Sequence, residues 1–120
     1  MTASNPLLIG IVGPCGAGKT TLTDALDSRG YSTRHIAQEH SYVKDMWQRI
    51  TNPDVLIFLQ VSYAVSMERR HMNWTEAEYN EQQRRLGHAL EHADLILDTD
   101  KLSIQEVLQQ VLDFVEQFKP

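Results

Sequence analysis

The sequence predicts an α/β fold: a short, about four-stranded parallel sheet with helices packed on both sides. Three observations carry this. Strand-like and helix-like segments alternate along the chain. Two of the strand segments, Leu7 to Val12 and Val55 to Val61, are apolar almost without a break, as strands covered on both faces are. The third is the count, since four strand-like segments are legible along the chain. At 120 residues the chain is expected to form a single domain over 1–120 around one core.

The elements follow in order. Leu7-Leu8-Ile9-Gly10-Ile11-Val12 lies between Pro6 and a glycine cluster and forms the first buried strand. A helix is expected from about Gly18 to Asp27, with Leu22, Ala25 and Leu26 on one side and Gly30 as its stop. Tyr31 to Ala37 reads as a second, polar strand. From about Ser41 to Ile50, the apolar residues Val43, Met46, Trp47 and Ile50 recur at helical spacing, and Asn52-Pro53-Asp54 then breaks the chain. Val55 to Val61 is the third strand. Ser62 is placed to cap a helix running to about His71. Thr75 and Glu78 have the spacing of a capping box, with Trp74 and Tyr79 as its hydrophobic staple, so a further helix is expected to about His92. Leu95-Ile96-Leu97 is a short fourth strand. Ser103 with Glu106, and Leu102 with Val107, repeat the box and the staple. They open a last helix whose apolar face holds Ile104, Val107, Leu108, Val111, Leu112, Val115 and Phe118.

Composition narrows the function classes. The net charge is −5 and no lysine or arginine block exists, which argues against a nucleic-acid groove or a polybasic membrane patch. The apolar runs are strand-sized, too short to span a bilayer, and the start lacks the basic leader and apolar run of a signal peptide. The expected location is cytoplasmic. Cys15 is the one cysteine, so no internal disulfide can form. The sequence pairs it with no metal-site partner.

Gly13-Pro14-Cys15-Gly16-Ala17-Gly18-Lys19-Thr20 matches G-x-x-x-x-G-K-[ST] at every fixed position, the pattern of a phosphate-binding P-loop. Phosphate oxygens need several N–H donors converging on one point. Glycines let the backbone turn tightly and approach closely, and the loop feeds a helix whose first amides are unpaired and whose dipole favours an anion. A buried strand before the motif and a helix after it supply the required context. Lys19 is expected to reach the β and γ phosphates of a nucleoside triphosphate, ATP above others. The Thr20 hydroxyl is expected to ligate Mg²⁺, and Thr21 to cap the α-phosphate. Cys15, beside a lysine and a helix N-terminus, is either redox-sensitive or simply a small side chain that fits.

The remainder of the chain resembles the small P-loop kinases, the group of shikimate, gluconate, dephospho-coenzyme A and nucleoside monophosphate kinases. The likeness rests on the loop, on Pro53-Asp54-Val55-Leu56-Ile57-Phe58-Leu59-Gln60-Val61-Ser62 running to Glu68-Arg69-Arg70, and on His92-Ala93-Asp94-Leu95-Ile96-Leu97-Asp98-Thr99-Asp100 with the capped final helix. It implies a P-loop NTPase-like three-layer α/β/α sandwich, a lid-like helical segment over about 68–92, and phosphoryl transfer from Mg-ATP to a small-molecule acceptor. Arg69 matches the first lid arginine of that group; Arg70, Arg84 and Arg85 match less closely. The chain departs from the pattern in having four strands for the usual five. Only about 18 residues separate the second and third strands, leaving no room for a substrate-binding insertion, and Gln60 stands where an acidic residue is common.

If one strand is missing, Tyr31 to Ala37 must pair directly with the strand that leads into the loop. Its end then lies beside Thr20, which makes Glu39 the candidate metal-site acid or acceptor-activating base; an exposed glutamate opening a helix is the alternative. Asp98 is the rival acid. His88 and His92 stand four apart on one helix, a metal-compatible spacing, but none of the histidines shows zinc spacing joined to a carboxylate or cysteine. No Asn-Lys-x-Asp guanine element occurs, and Asp27-Ser28-Arg29-Gly30 imitates a GTPase motif in the wrong place. Two functions remain open: a kinase-like phosphotransferase, or a nucleotide-binding, slowly hydrolysing regulator without its own acceptor site. A homodimer covering the sheet edges fits either.

Overall fold

The structure, a computed structural model, describes residues 7–70 and 74–118. Its four strands, β1 (Leu8–Val12), β2 (Ser32–His35), β3 (Val55–Gln60) and β4 (Leu95–Asp98), form one sheet in the order β2-β1-β3-β4. Every pairing is parallel, with Ile9 opposite Thr33 and Val55, and Phe58 opposite Ile96. The small P-loop α/β sandwich expected from the sequence is therefore the fold, and β2 does pair directly with β1.

Alternation along the central strands divides the core in two. Ile9 and Ile11 of β1, Ile57 and Leu59 of β3, and Leu97 of β4 face one side. There they pack against Leu22 and Leu26 of α1 (Lys19–Asp27) and Val107, Val111 and Val115 of α5 (Ile104–Glu116). Val12, Leu56 and Phe58 face the other, against Trp47, Leu86 and Ala89. Each of the larger apolar side chains, fully buried, contributes about 1.5–3 kcal/mol, so β1 and β3 are held by both helix layers. β2 is a polar edge strand, paired only with β1 and packed against α1, with its last two residues exposed.

The helices begin where the sequence marks them. Ser103 Oγ accepts from the Glu106 amide and the Glu106 carboxylate accepts from the Ser103 amide, and Thr75 and Glu78 do the same at α3 (Glu76–Arg85). Ser62 Oγ accepts from Val65 N at 3.2 Å at the start of α2 (Tyr63–Arg70). His71, the expected end of that helix, lies outside the described residues, as does the side chain of Arg70. Ile104 and Phe118, expected on the buried face of α5, are exposed at its two ends, beyond the reach of the sheet.

Two expectations need correction. The stretch 41–50 is not an α-helix: a 3₁₀ turn at Gln38–His40 and a single wide turn at Trp47–Thr51 replace it. Gln38 is the cause. Its side chain is fully buried, donates to Val43 O at 2.8 Å and accepts from Trp47 N at 2.8 Å, so it takes the backbone partners a helix would have used. Only Trp47 of the predicted apolar face is buried, while Val43 and Ile50 are exposed. The helix expected to run unbroken to His92 divides at Leu86 into α3 and α4 (Gly87–His92). Buried Leu86 anchors the joint, and Gly87, a poor helix residue, follows it. No helix among the described residues is long and apolar enough to cross a membrane.

Candidate functional site

The loop from Gly13 to Gly18 joins the end of β1 to α1, and two of its glycines are dictated by close approach. At Gly13, with φ +154°, a Cβ would lie 2.2 Å from the Leu59 carbonyl oxygen of β3. At Gly16, with φ +87°, it would press on the backbone of Ser66 in α2. The loop is thus pinned between β3 and α2. Pro14 and Ala17 are buried in its base, while Thr20 and Thr21, on the first turn of α1, are exposed. Residues 15–21 line one wall of a cavity of about 890 Å³; Glu39 and His40 form another side, and Arg69, Thr99 and Leu102 to Ile104 close it. That volume is in the range of small-ligand sites.

Lys19 is the electrostatic centre. It is only 5% exposed, and its Nζ donates to Gly13 O at 2.6 Å and Pro14 O at 3.2 Å. Nζ also lies 2.9 Å from Glu39 Oε2. Glu39 is 3% exposed, which removes the alternative of a solvated glutamate opening a helix. The direct β1–β2 pairing brings the end of β2, and so the Gln38–His40 turn, alongside the loop, as the strand count required. Glu39 Oε1 has no hydrogen-bond partner among the described residues. A buried carboxylate oxygen left unpaired is costly unless a ligand satisfies it. The rival acid is elsewhere: Asp98 sits at the exposed end of β4, where its Oδ1 accepts from Asp100 N at 3.0 Å, and it does not line the cavity.

Arg69 reaches from α2 across the loop. Its Nη1 donates to Gly16 O at 3.1 Å and to Thr99 Oγ1 at 3.0 Å, and its Nη2 donates to Thr99 O. The guanidinium therefore ties the glycine loop to the segment after β4. Arg84 and Arg85 are occupied differently, both pairing with Glu81, and Arg85 also stacks over Tyr42 at 4.4 Å. Gln60 exchanges hydrogen bonds with Gln83 and serves to fasten β3 to α3.

Three contributors were not foreseen. Gln82 of α3, buried, accepts from Cys15 N at 3.0 Å and donates to Cys15 Sγ at 3.2 Å, so a helix 67 residues away holds a loop amide. His35 lines the cavity, and its pKa is lowered by burial first and then by Lys19, with Glu39 opposing. His40 brings an imidazole to the loop. Cys15 Sγ lies 3.8 Å from its Nε2, which also lies 3.7 Å from Glu39 Oε2. Cys15, read from the sequence as having no metal-site partner, thus has a carboxylate and an imidazole beside it, because folding brings the glycine loop and the turn after β2 together. Nothing in the sequence spacing marks these contacts. His88 and His92 stack at 4.3 Å, and His88 Nδ1 accepts from Trp47 Nε1 at 3.0 Å; they join no third ligand among the described residues.

The comparison with protein families agrees with this geometry: residues 9–113 match the family model of an AAA domain. No curated protein matches the sequence.

Proposed function

Since this chain belongs to the AAA domain family of P-loop NTPases, we propose that it is a Mg-ATP-dependent phosphotransferase acting on a small-molecule acceptor. The observation that carries this reading is the buried Lys19–Glu39 pair, 2.9 Å apart, on the wall of a ligand-sized cavity at the loop. Phosphoryl transfer is governed by charge positioning. Lys19, released from Gly13 O and Pro14 O, supplies a cation to the β and γ phosphates. The amides of the loop and of the first turn of α1 supply converging donors. Arg69, already bonded to the loop, covers the nucleotide from the α2 side.

The donor set fits Mg²⁺: Thr20 offers a hydroxyl on the cavity wall and Glu39 an unpaired carboxylate oxygen, both hard ligands. When bound, Mg²⁺ neutralises phosphate charge. Glu39 also stands where it can take a proton from an acceptor hydroxyl.

A second reading is favoured by specific observations. Lys19 is satisfied by two carbonyls and Glu39, the Cys15 amide is capped by Gln82, and β2 and β3 are joined by turns with no substrate-binding insertion. Such a self-satisfied loop suits a nucleotide-binding regulator that hydrolyses slowly. The test is calorimetric titration with ATP and with GTP in Mg²⁺, for the natural protein and Lys19→Ala, followed by ADP release with candidate acceptors. Acceptor-stimulated release supports the kinase, and tight binding with only a slow basal rate supports the regulator. No binding by the natural protein overturns both.

A further inference from the structure

We propose that Cys15, Glu39 and His40 form a binding site for a soft divalent cation of the Zn²⁺ class, built across the glycine loop and the turn after β2. One ligand atom from each lies within 4.8 Å of the others. The separations of His40 Nε2 from Cys15 Sγ, 3.8 Å, and from Glu39 Oε2, 3.7 Å, are close to the edge of a tetrahedron. With metal–ligand bonds of about 2.0–2.3 Å, that edge is roughly 3.3–3.8 Å. Rotamer-scale adjustment is enough to seat an ion.

An independent observation points to a missing ligand here. Glu39 is almost wholly buried on the wall of this cavity, and its Oε1 has no partner among the described residues. Oε2 is held by Lys19, which has Gly13 O and Pro14 O as further acceptors. The oxygen 3.7 Å from His40 is Oε2, so a cation there shares Oε2 with Lys19, which keeps Gly13 O and Pro14 O, or draws on Oε1 by a small turn of the carboxylate. His40 is mostly exposed and free to turn, and Cys15 is partly exposed, so an entry path exists.

The sulfur already has a hydrogen-bond donor beside it. Gln82 Nε2 donates to Cys15 Sγ at 3.2 Å, the kind of outer hydrogen bond that orients and stabilises a metal-bound sulfur. Thiolate and imidazole select Zn²⁺ and its relatives over Mg²⁺, which demands oxygen. This site is thus distinct in chemistry from the Thr20–Glu39 oxygen pair, although both use Glu39. It does not depend on nucleotide binding, because its donors are in place in the loop as described.

The experiment uses Co²⁺ as the probe on the nucleotide-free protein, following the near-ultraviolet sulfur-to-cobalt charge-transfer band and the visible bands of a four-coordinate ion. We expect both to appear with one equivalent of Co²⁺ and to be displaced by Zn²⁺. Cys15→Ser abolishes the charge-transfer band, and His40→Ala weakens Co²⁺ binding by at least about tenfold. Because Cys15 is the only thiol, Zn²⁺ must also slow its alkylation by iodoacetamide, with EDTA restoring the rate. This second readout needs no variant. A natural protein that gives no charge-transfer band and no Zn²⁺ protection overturns the site. Bands that survive His40→Ala at full affinity overturn the three-ligand arrangement.

Discussion

Glu39→Gln tests the electrostatic core of the site. Lys19 Nζ and Glu39 Oε2 are 2.9 Å apart, and both side chains are at least nine-tenths buried. With an effective dielectric of about 20, Coulomb attraction at that distance is about 6 kcal/mol before desolvation is subtracted. Glutamine keeps the shape and one oxygen but removes the charge, leaving a buried ammonium with neutral carbonyl acceptors only. Breaking one side of a buried pair costs about 3–5 kcal/mol. The retained carbonyl bonds from Gly13 and Pro14 place the expected loss at the lower end, about 3 kcal/mol. For a chain of this length that is a fall in Tm of about 10–15 °C. Urea unfolding of the natural protein, Glu39→Gln, Lys19→Met and the double variant completes a cycle with an expected coupling of about 1.5–3 kcal/mol. Adding ATP in EDTA should recover more stability in Glu39→Gln than in the natural protein, since phosphates replace the lost negative charge beside Lys19. A Tm within about 2 °C of natural, or additive single losses, would refute the reasoning.

Two other outcomes follow from the same cavity. Gln82→Ala frees the Cys15 amide, and a net hydrogen bond of about 1 kcal/mol corresponds to roughly fivefold tighter ATP binding by calorimetry; weaker binding would count against Gln82 as a competitor of phosphate. Folding lowers the His35 pKa below its ordinary 6.5, so the unfolded chain binds the proton more readily, and stability falls as pH drops from about 6.5 through the lowered folded value. In His35→Gln that share of the decline disappears, and Tm measured between about pH 7.5 and pH 5 should fall less steeply than in the natural protein.

Most of the fold was legible because its signals are local or periodic. Apolar runs marked β1 and β3, capping boxes marked α3 and α5, and the G-x-x-x-x-G-K-[ST] spacing marked the loop. Even one non-local feature was reachable: the short distance between β2 and β3 excluded another strand, which forced β2 against β1 and Glu39 toward the loop. The stretch 41–50 misled because its helical spacing of apolar residues was outweighed by hydrogen bonds from Gln38, a partner that lies outside the periodic window. The break at Leu86 came from burial against the sheet, not from any strong stop signal.

The sequence by itself determined the G-x-x-x-x-G-K-[ST] loop, the strand count and the parallel sheet, since each follows from spacing or from chain length, and it put Glu39 ahead of Asp98 as the acid beside that loop without deciding between them. Only the tertiary structure decided that Glu39 is buried with an oxygen to spare, that Gln82 holds the Cys15 amide, and that a thiol, a carboxylate and an imidazole meet at one corner. The physical reason is that burial and side-chain convergence depend on where crossovers and helix faces come to rest in space, and residues 67 positions apart carry no shared period along the chain.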